Sequence, residues 1–139
     1  MSHAATQIRD WFKAACTGVA GLPTCTEGTP RQIASNTDAC FVRTTTSAVE
    51  RITEHEPPID GHELTVEVVV LGNTFSEADG LSVLAEEAIA NKAAFPGDSF
   101  EFVQREYDEN TDTDRAYVSV TLTYVARYSV ARNDVETLL

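Results

Sequence analysis

Residues Arg115 to Val130 read RAYVSVTLTYVARYSV, and apolar and polar side chains alternate along almost all of this segment. A period of two residues is typical of a β-strand with one buried face, because successive side chains of a strand point to opposite sides. The segment therefore predicts a long strand near the end of the chain. The face that we expect to be buried consists of Val118, Val120, Leu122, Tyr124, Ala126 and Tyr128.

The same period occurs in two earlier segments. Residues 40–53 are rich in β-branched side chains, which are typical of strands, and we expect their even- and odd-numbered members on opposite faces. Residues 63–71 read ELTVEVVVL and predict a returning strand, after a turn marked by proline, aspartate and glycine. We therefore predict a long hairpin over residues 39–71 and a closing hairpin over residues 99–130.

Two other segments have the period of an amphipathic helix. Residues 8–19 carry apolar side chains at intervals of three and four, which form one stripe on a helix. Residues 74–93 predict a second helix, in which Thr74 and Glu77 have the spacing of a capping box. The predicted fold class is α/β (α+β): a mixed, mainly antiparallel sheet with two long hairpins and two main helices packed on one face.

The chain has 139 residues, which suits one domain of ordinary size. We expect a single domain over residues 1–139, with residues 131–139 as a C-terminal extension. A strand of about fourteen residues spans roughly 46 Å, which exceeds the roughly 37 Å diameter of a compact domain of this size. We therefore expect at least one hairpin to leave the core and to have its edges covered by another copy of the chain.

The composition is acidic, with 10 basic against 22 acidic residues and a formal net charge of -12. Proteins that bind along nucleic acid need a basic stripe, so direct DNA binding is disfavoured. Two of the basic residues are lysines and eight are arginines, and this Lys-poor, acid-rich balance is typical of proteins from very salty cytoplasm. An acidic protein from ordinary salinity is the alternative. No apolar run approaches the ~20 residues that span a bilayer, and we expect no membrane contact.

No catalytic or phosphate-binding motif is found in the sequence, and we expect no enzyme, no cofactor and no metal site. Cys16, Cys25 and Cys40 have no zinc or haem spacing, so we expect buried thiols. We expect the acidic segment 108–114 and the segment around His55 to be solvated hairpin turns. The alternative is that the acidic segment, or His55 with its flanking glutamates, binds a cation.

Three segments carry a resemblance to a known family: ELTVEVVVL at 63–71, SEADGL at 76–81 and REYDENTDTDRAYVSVTLTYVARYSV at 105–130. The last contains leucine, threonine, tyrosine and valine at 122–125 and a further tyrosine at position 128. Together with the amino-terminal helix, they resemble the tail terminator family of long-tailed viruses, the lambda-type minor tail protein U. With the acidic composition, the resemblance suggests a halophilic archaeal virus as the source.

The resemblance implies a structural protein of the virion that forms a ring of six subunits at the head-proximal end of the tail tube. Such a ring stops tube polymerisation and presents the surface for head joining. The implied partners are further copies of the chain, the tail tube protein and a head-completion or neck protein, while DNA passes through without specific binding. The implied location is the head-tail junction, after assembly in the host cytoplasm. No catalytic residue is carried over.

Two sets of charged residues are our site hypotheses. Charges of both signs along the long hairpin suit pairing across a subunit boundary, and acids in the closing hairpin suit a lumen wall that repels phosphates. The interface set is Arg43, Glu50, Arg51 and Glu54, and the set of lumen-facing acids is Glu106, Asp108 and Asp112.

Two alternative functions stay open. Another head-tail connector or neck adaptor protein would form a ring of different symmetry. A small α/β ligand-binding or enzymatic domain would have a deep pocket lined by ionisable groups and would be a monomer or dimer.

Overall fold

The structure is a computed structural model. It describes residues 3–23, 25–27, 38–52, 59–110, 117–131 and 134–138. The elements in chain order are α1 (Ala4–Ala15), β1 (Cys25–Glu27), β2 (Ala39–Ile52), β3 (Ile59–Gly72), α2 (Phe75–Asn91), β4 (Ser99–Asn110), β5 (Tyr117–Ala131) and β6 (Asp134–Leu138).

The strands form one sheet in the order β1-β2-β3-β5-β4, and β6 pairs with the end of β5. β1 runs parallel to β2, and the other described pairs are antiparallel. Both helices pack on the same face of this sheet. The predicted α+β class, with a mixed and mainly antiparallel sheet, is confirmed.

The helix-covered face of the sheet forms the hydrophobic core. All six residues that the alternation of β5 predicts to be buried are buried, and so are Leu64, Val66, Val68 and Val70 of β3. α2 closes the core with Ala78, Leu81, Ala85 and Ile89. Removing a valine or leucine side chain from water contributes about 1.5–3 kcal/mol, so this face supplies most of the driving force for folding.

Aromatic rings join α1 to the rest of the core. The ring of Phe12 lies 5.2 Å from that of Tyr124 and 5.5 Å from that of Phe100, measured between centroids. Trp11 packs edge-on against Phe95 and donates a hydrogen bond of 3.2 Å from Nε1 to the carbonyl oxygen of Ala93. α1 is therefore held to the closing hairpin and to the segment after α2.

Replacing Phe12 with alanine should lower the free energy of unfolding by about 3–5 kcal/mol, because a buried aromatic side chain leaves a cavity in a close-packed core. The matched control is Phe75→Ala at an exposed position, for which we expect less than about 1.5 kcal/mol. Urea unfolding at one fixed protein concentration measures both. Equal losses in the two variants would contradict this view of the core.

A β-bulge interrupts each of the outer long strands. In β2 the register with β3 shifts between Thr44 and Thr46, and in β4 the register with β5 shifts between Phe102 and Gln104. A bulge adds one residue to one strand and so reverses the faces of all residues after it. The prediction of one unbroken alternation over residues 40–53 is therefore wrong. Val42 lies opposite Val68 on the covered face, whereas Ser47, of odd number, lies opposite Leu64 on that same face.

We expected at least one hairpin to leave the core, but the long hairpin stays within the sheet. β3 pairs with β5 from Ile59 opposite Ala131 to Gly72 opposite Val118, so the inner strand of the hairpin is covered along its whole length. The outer strand β2 pairs with β1 at Cys40 to Val42, and the structure describes no partner for its outer side after that. β4 likewise has no described neighbour on its outer side. Within the described residues, two long sheet edges thus have no partner strand.

No described helix is long and apolar enough to cross a membrane.

A histidine and a tyrosine stack at the end of the core near the long hairpin's turn. The rings of His62 and Tyr128 lie 4.8 Å apart between centroids and are nearly parallel, at 8°. Burial lowers the pKa of His62 from its ordinary 6.5, the charge of Asp60 opposes this change, and His3 adds to it. A lowered pKa means that the unfolded chain binds the proton more tightly than the folded one.

His62 should therefore make the protein less stable in mild acid. The stability that neutral His62 contributes is fully present above its unfolded-state pKa of 6.5. As the pH falls from there towards the lowered folded-state pKa, this contribution is lost, because protonation favours the unfolded chain. His62→Phe keeps a stacked ring and removes the titration. Urea unfolding at pH 7.5 and pH 5.0 should show a smaller loss for the variant than for the native chain. Equal losses would mean that His62 does not contribute.

Candidate functional site

The sheet face opposite the helices carries a groove with a volume of about 350 Å³. Directly opposed residues of neighbouring strands point to the same side of the sheet, so rows of such residues line the groove. One row runs across four strands as Phe41, Val69, Thr121 and Glu106. Ser119 and Asp108 belong to the neighbouring row. The groove therefore crosses the sheet from β2 to β4.

The floor of the groove is apolar although no described helix covers it. Phe41 is 6% exposed and Leu71 is 5% exposed, and Val69 between them is half-buried. The rim is charged and mostly acidic, with Glu67, Glu106, Asp108 and Arg43 among the lining residues. An apolar floor with a polar rim is typical of a surface that another protein covers.

Arg43 forms an ion pair inside its own chain. Its Nε donates a hydrogen bond of 2.7 Å to Oε1 of Glu67, directly opposite in β3. Such partly exposed pairs contribute at most about 1 kcal/mol to stability. The pair fixes the position of the guanidinium at the groove rim.

The predicted site residues are distributed differently from the sequence hypothesis. Arg43, of the interface set, and Glu106 and Asp108, of the lumen set, line the same groove. Glu50 is exposed on β2, opposite Gly61. Of the remaining three, Arg51 lies in β2 but its side chain is outside the described part, and Glu54 and Asp112 lie outside the described residues.

A second surface feature is an aromatic patch along the edge strand β4. Phe102, Val103 and Tyr107 are exposed on β4, and Phe75 is exposed at the start of α2. The rings of Phe75 and Tyr107 stack with centroids 5.1 Å apart, and the Tyr107 hydroxyl donates a hydrogen bond of 2.9 Å to Asp79. We call Phe75, Phe102, Val103 and Tyr107 the β4 patch.

Two side chains from neighbouring elements border the β4 patch and hold its geometry. Arg105 forms an ion pair with Glu86 of α2 and lies over the ring of Phe102, 5.9 Å from its centroid. The neighbouring carboxylate of Glu86 raises the pKa of Arg105, against the effect of its partial burial. Sequence reasoning missed this patch, because the alternation of β4 does not reveal that the strand lies at an edge.

Among the residues that the structure describes, no group of three or more histidine, cysteine, aspartate or glutamate side chains is arranged to hold a metal ion.

Comparisons with known proteins give one informative result. No family model matches the chain, and no curated protein matches it in sequence. Among solved structures, the fold is similar to that of a chain in the virion of a native gene transfer agent (GTA) particle, with a TM-score of 0.51 and 12% sequence identity. The match covers 92% of this chain and 96% of that chain. At this identity the likeness shows a shared fold, and it extends over nearly the full length of both chains.

Proposed function

We propose that this chain is a structural protein of a virion or virion-like particle, and more specifically a tail terminator. The observation that carries the proposal is the fold shared over almost the whole chain with a protein of a gene transfer agent virion. The sequence resemblance to tail terminators supports the more specific role. This role requires no catalytic residue.

The open edges of the sheet support assembly into a ring. β2 and β4 lie on opposite sides of the sheet, and each has a long outer side without a described partner. Contact between β4 of one copy and β2 of the next repeats identically around a circle and closes it. The exposed β4 patch supplies an apolar centre for this contact, and such edges otherwise favour uncontrolled pairing.

Charge is distributed unevenly between the two edges. β4 contributes exposed Glu101, Glu106, Asp108 and Glu109, whereas the described charged side chains of β2 are Arg43 and Glu50. Opposite charges on two surfaces steer their encounter and select the register in which they meet. We assign Arg43, which is paired with Glu67 in its own chain, to the edge of the proposed contact.

The proposed ring has six copies at the head-proximal end of a tail tube, with a tube protein on one side and a head-completion or neck protein on the other. DNA passes through it without specific binding, because a chain with a net charge of -12 repels phosphates wherever its acids face the lumen. Its place is the head-tail junction of the particle. The same structural likeness also suits a neck adaptor, and the number of subunits separates the two roles.

Native mass measurement and negative-stain imaging in molar salt test the proposal. High salt screens the self-repulsion of an acidic chain, so assembly is expected there first. We predict closed rings whose mass is six times the 15.1 kDa of one chain. A ring of another symmetry would favour the neck adaptor, and a monomer at every salt concentration would contradict both roles.

Val103→Lys should weaken the ring, because it places a charge in the centre of the β4 patch at a side chain that is 51% exposed in the single chain. The matched control is Ala14→Lys, which adds the same charge to the exposed face of α1. We expect Val103→Lys to raise the protein concentration needed for half-assembly at least tenfold, with little change for Ala14→Lys. Sedimentation velocity at several concentrations measures this. Equal behaviour of the two variants would exclude β4 from the contact.

A further inference from the structure

Three cysteines that are far apart in the sequence meet in the core. Cys16 follows the last turn of α1, Cys25 begins β1, and Cys40 lies in β2. All three are free thiols, and they are 0%, 2% and 1% exposed. The three thiols lie close enough together for each to change the pKa of the others. We call these residues the cysteine cluster.

The sheet places two members of the cluster side by side on neighbouring strands. Cys25 and Cys40 are direct partners in the parallel ladder between β1 and β2. Neighbouring strands lie about 4.8 Å apart, which is inside the range of about 4.4–6.8 Å between the Cα atoms of disulfide-bonded cysteines. Opposed residues also point to the same side of the sheet. A bond between these two sulfurs also requires the two Cβ atoms to approach from about the strand spacing to about 3.5–4.5 Å, so β1 must shift towards β2 when the bond forms.

The three thiols differ in how readily they lose a proton. The pKa of Cys25 is lowered because the thiols of Cys16 and Cys40 donate to its sulfur and because Lys13 adds positive charge, although burial acts the other way. The pKa of Cys16 is raised through its hydrogen bond to Cys25 and through burial, and the pKa of Cys40 is raised through its hydrogen bonds to Cys16 and Cys25 and through burial. Cys25 is thus the member that ionises first, and the thiolate is the form that reacts with disulfides.

We propose that Cys25 and Cys40 are a redox modification site, which forms an intrachain disulfide when the protein meets a small disulfide oxidant, and that Cys16 remains a thiol. The bond would fasten β1, a three-residue strand, covalently to β2.

The reaction with oxidised glutathione proceeds in two exchanges. The Cys25 thiolate attacks one sulfur of the oxidant and releases a glutathione thiolate, which leaves a mixed disulfide on Cys25. The Cys40 sulfur loses its proton and attacks the Cys25 sulfur, which releases the second glutathione. The protein loses two electrons and two protons, and two glutathione thiols carry them. Access to the buried sulfurs requires local opening of β1, which three ladder pairs hold to β2, and in the opened state Cys25 reacts as an ordinary exposed thiol.

The two cysteines would be reduced while the particle assembles and joined by the disulfide in the mature particle. Thiols stay reduced in cytoplasm, and disulfides persist outside cells. This timing rests on the proposed function in a virion, whereas the formation of the bond does not. A bond that forms after assembly would hold β1 in place without interfering with folding in the cytoplasm.

The experiment uses the full-length chain, first reduced and then treated with oxidised glutathione. Alkylation in denaturant followed by intact mass analysis should find one alkylated cysteine after oxidation, against three before it. Tandem mass spectrometry of the tryptic peptides 14–31 and 32–43 should show them linked through Cys25 and Cys40, with the alkyl group on Cys16. The melting temperature should rise by roughly 5–10 °C.

Matched variants separate the three thiols. Cys16→Ser should still form the bond, whereas Cys25→Ser and Cys40→Ser should not, and the melting curve of each reduced variant shows whether it has folded. Three alkylated cysteines after oxidation of the native chain, or a bond that includes Cys16, would overturn the proposal. Ring formation by Cys25→Ser is measured separately from disulfide formation. If the disulfide does not form, the ring proposal is unaffected, and if the ring does not form, the disulfide proposal is unaffected.

Discussion

The ladder between β3 and β5 is the interaction on which the rest of the structure depends. It pairs the two strands without a register shift from Ile59 opposite Ala131 to Gly72 opposite Val118. Burial alternates along the middle of β3 and along most of β5, so the ladder presents one apolar face to both helices and one mixed face to the groove. The outer strands β2 and β4 lie on either side of this ladder, and both contain a bulge.

Much of the helix-covered half of the fold follows from local patterns in the sequence. The alternation in β5 decides which face is buried, because neighbours on both sides hold the strand straight. Half of the capping box predicted for α2 is present: the Thr74 hydroxyl accepts a hydrogen bond of 3.2 Å from the amide of Glu77. The Glu77 carboxylate accepts its bond from the amide of Asn73, one residue before the N-cap, instead of from Thr74. Local signals of this kind need no knowledge of the tertiary structure.

The bulges and the strand order could not be predicted in the same way. Residues 44–46 are three threonines, so the pattern of apolar and polar residues there gives no sign that the register shifts by one residue. Arg43 and Glu106 line one groove only because β5 lies between β3 and β4, and no local pattern encodes that order. The cysteine cluster has the same origin, since a parallel pairing of β1 with β2 brings Cys25 beside Cys40. Sequence reasoning found these residues and missed how they meet.

The central claim is that identical copies complete the sheet edges, and hydrogen exchange of backbone amides tests it most directly. Exchange is compared between assembled protein in molar salt and dissociated protein, with attention to the amides of β2 and β4 that point away from the sheet. We predict slowing by at least tenfold at these amides on assembly, and unchanged exchange in the β3–β5 ladder, which is already protected in the single chain. Assembled particles whose edge amides exchange as fast as in the dissociated chain would contradict the claim.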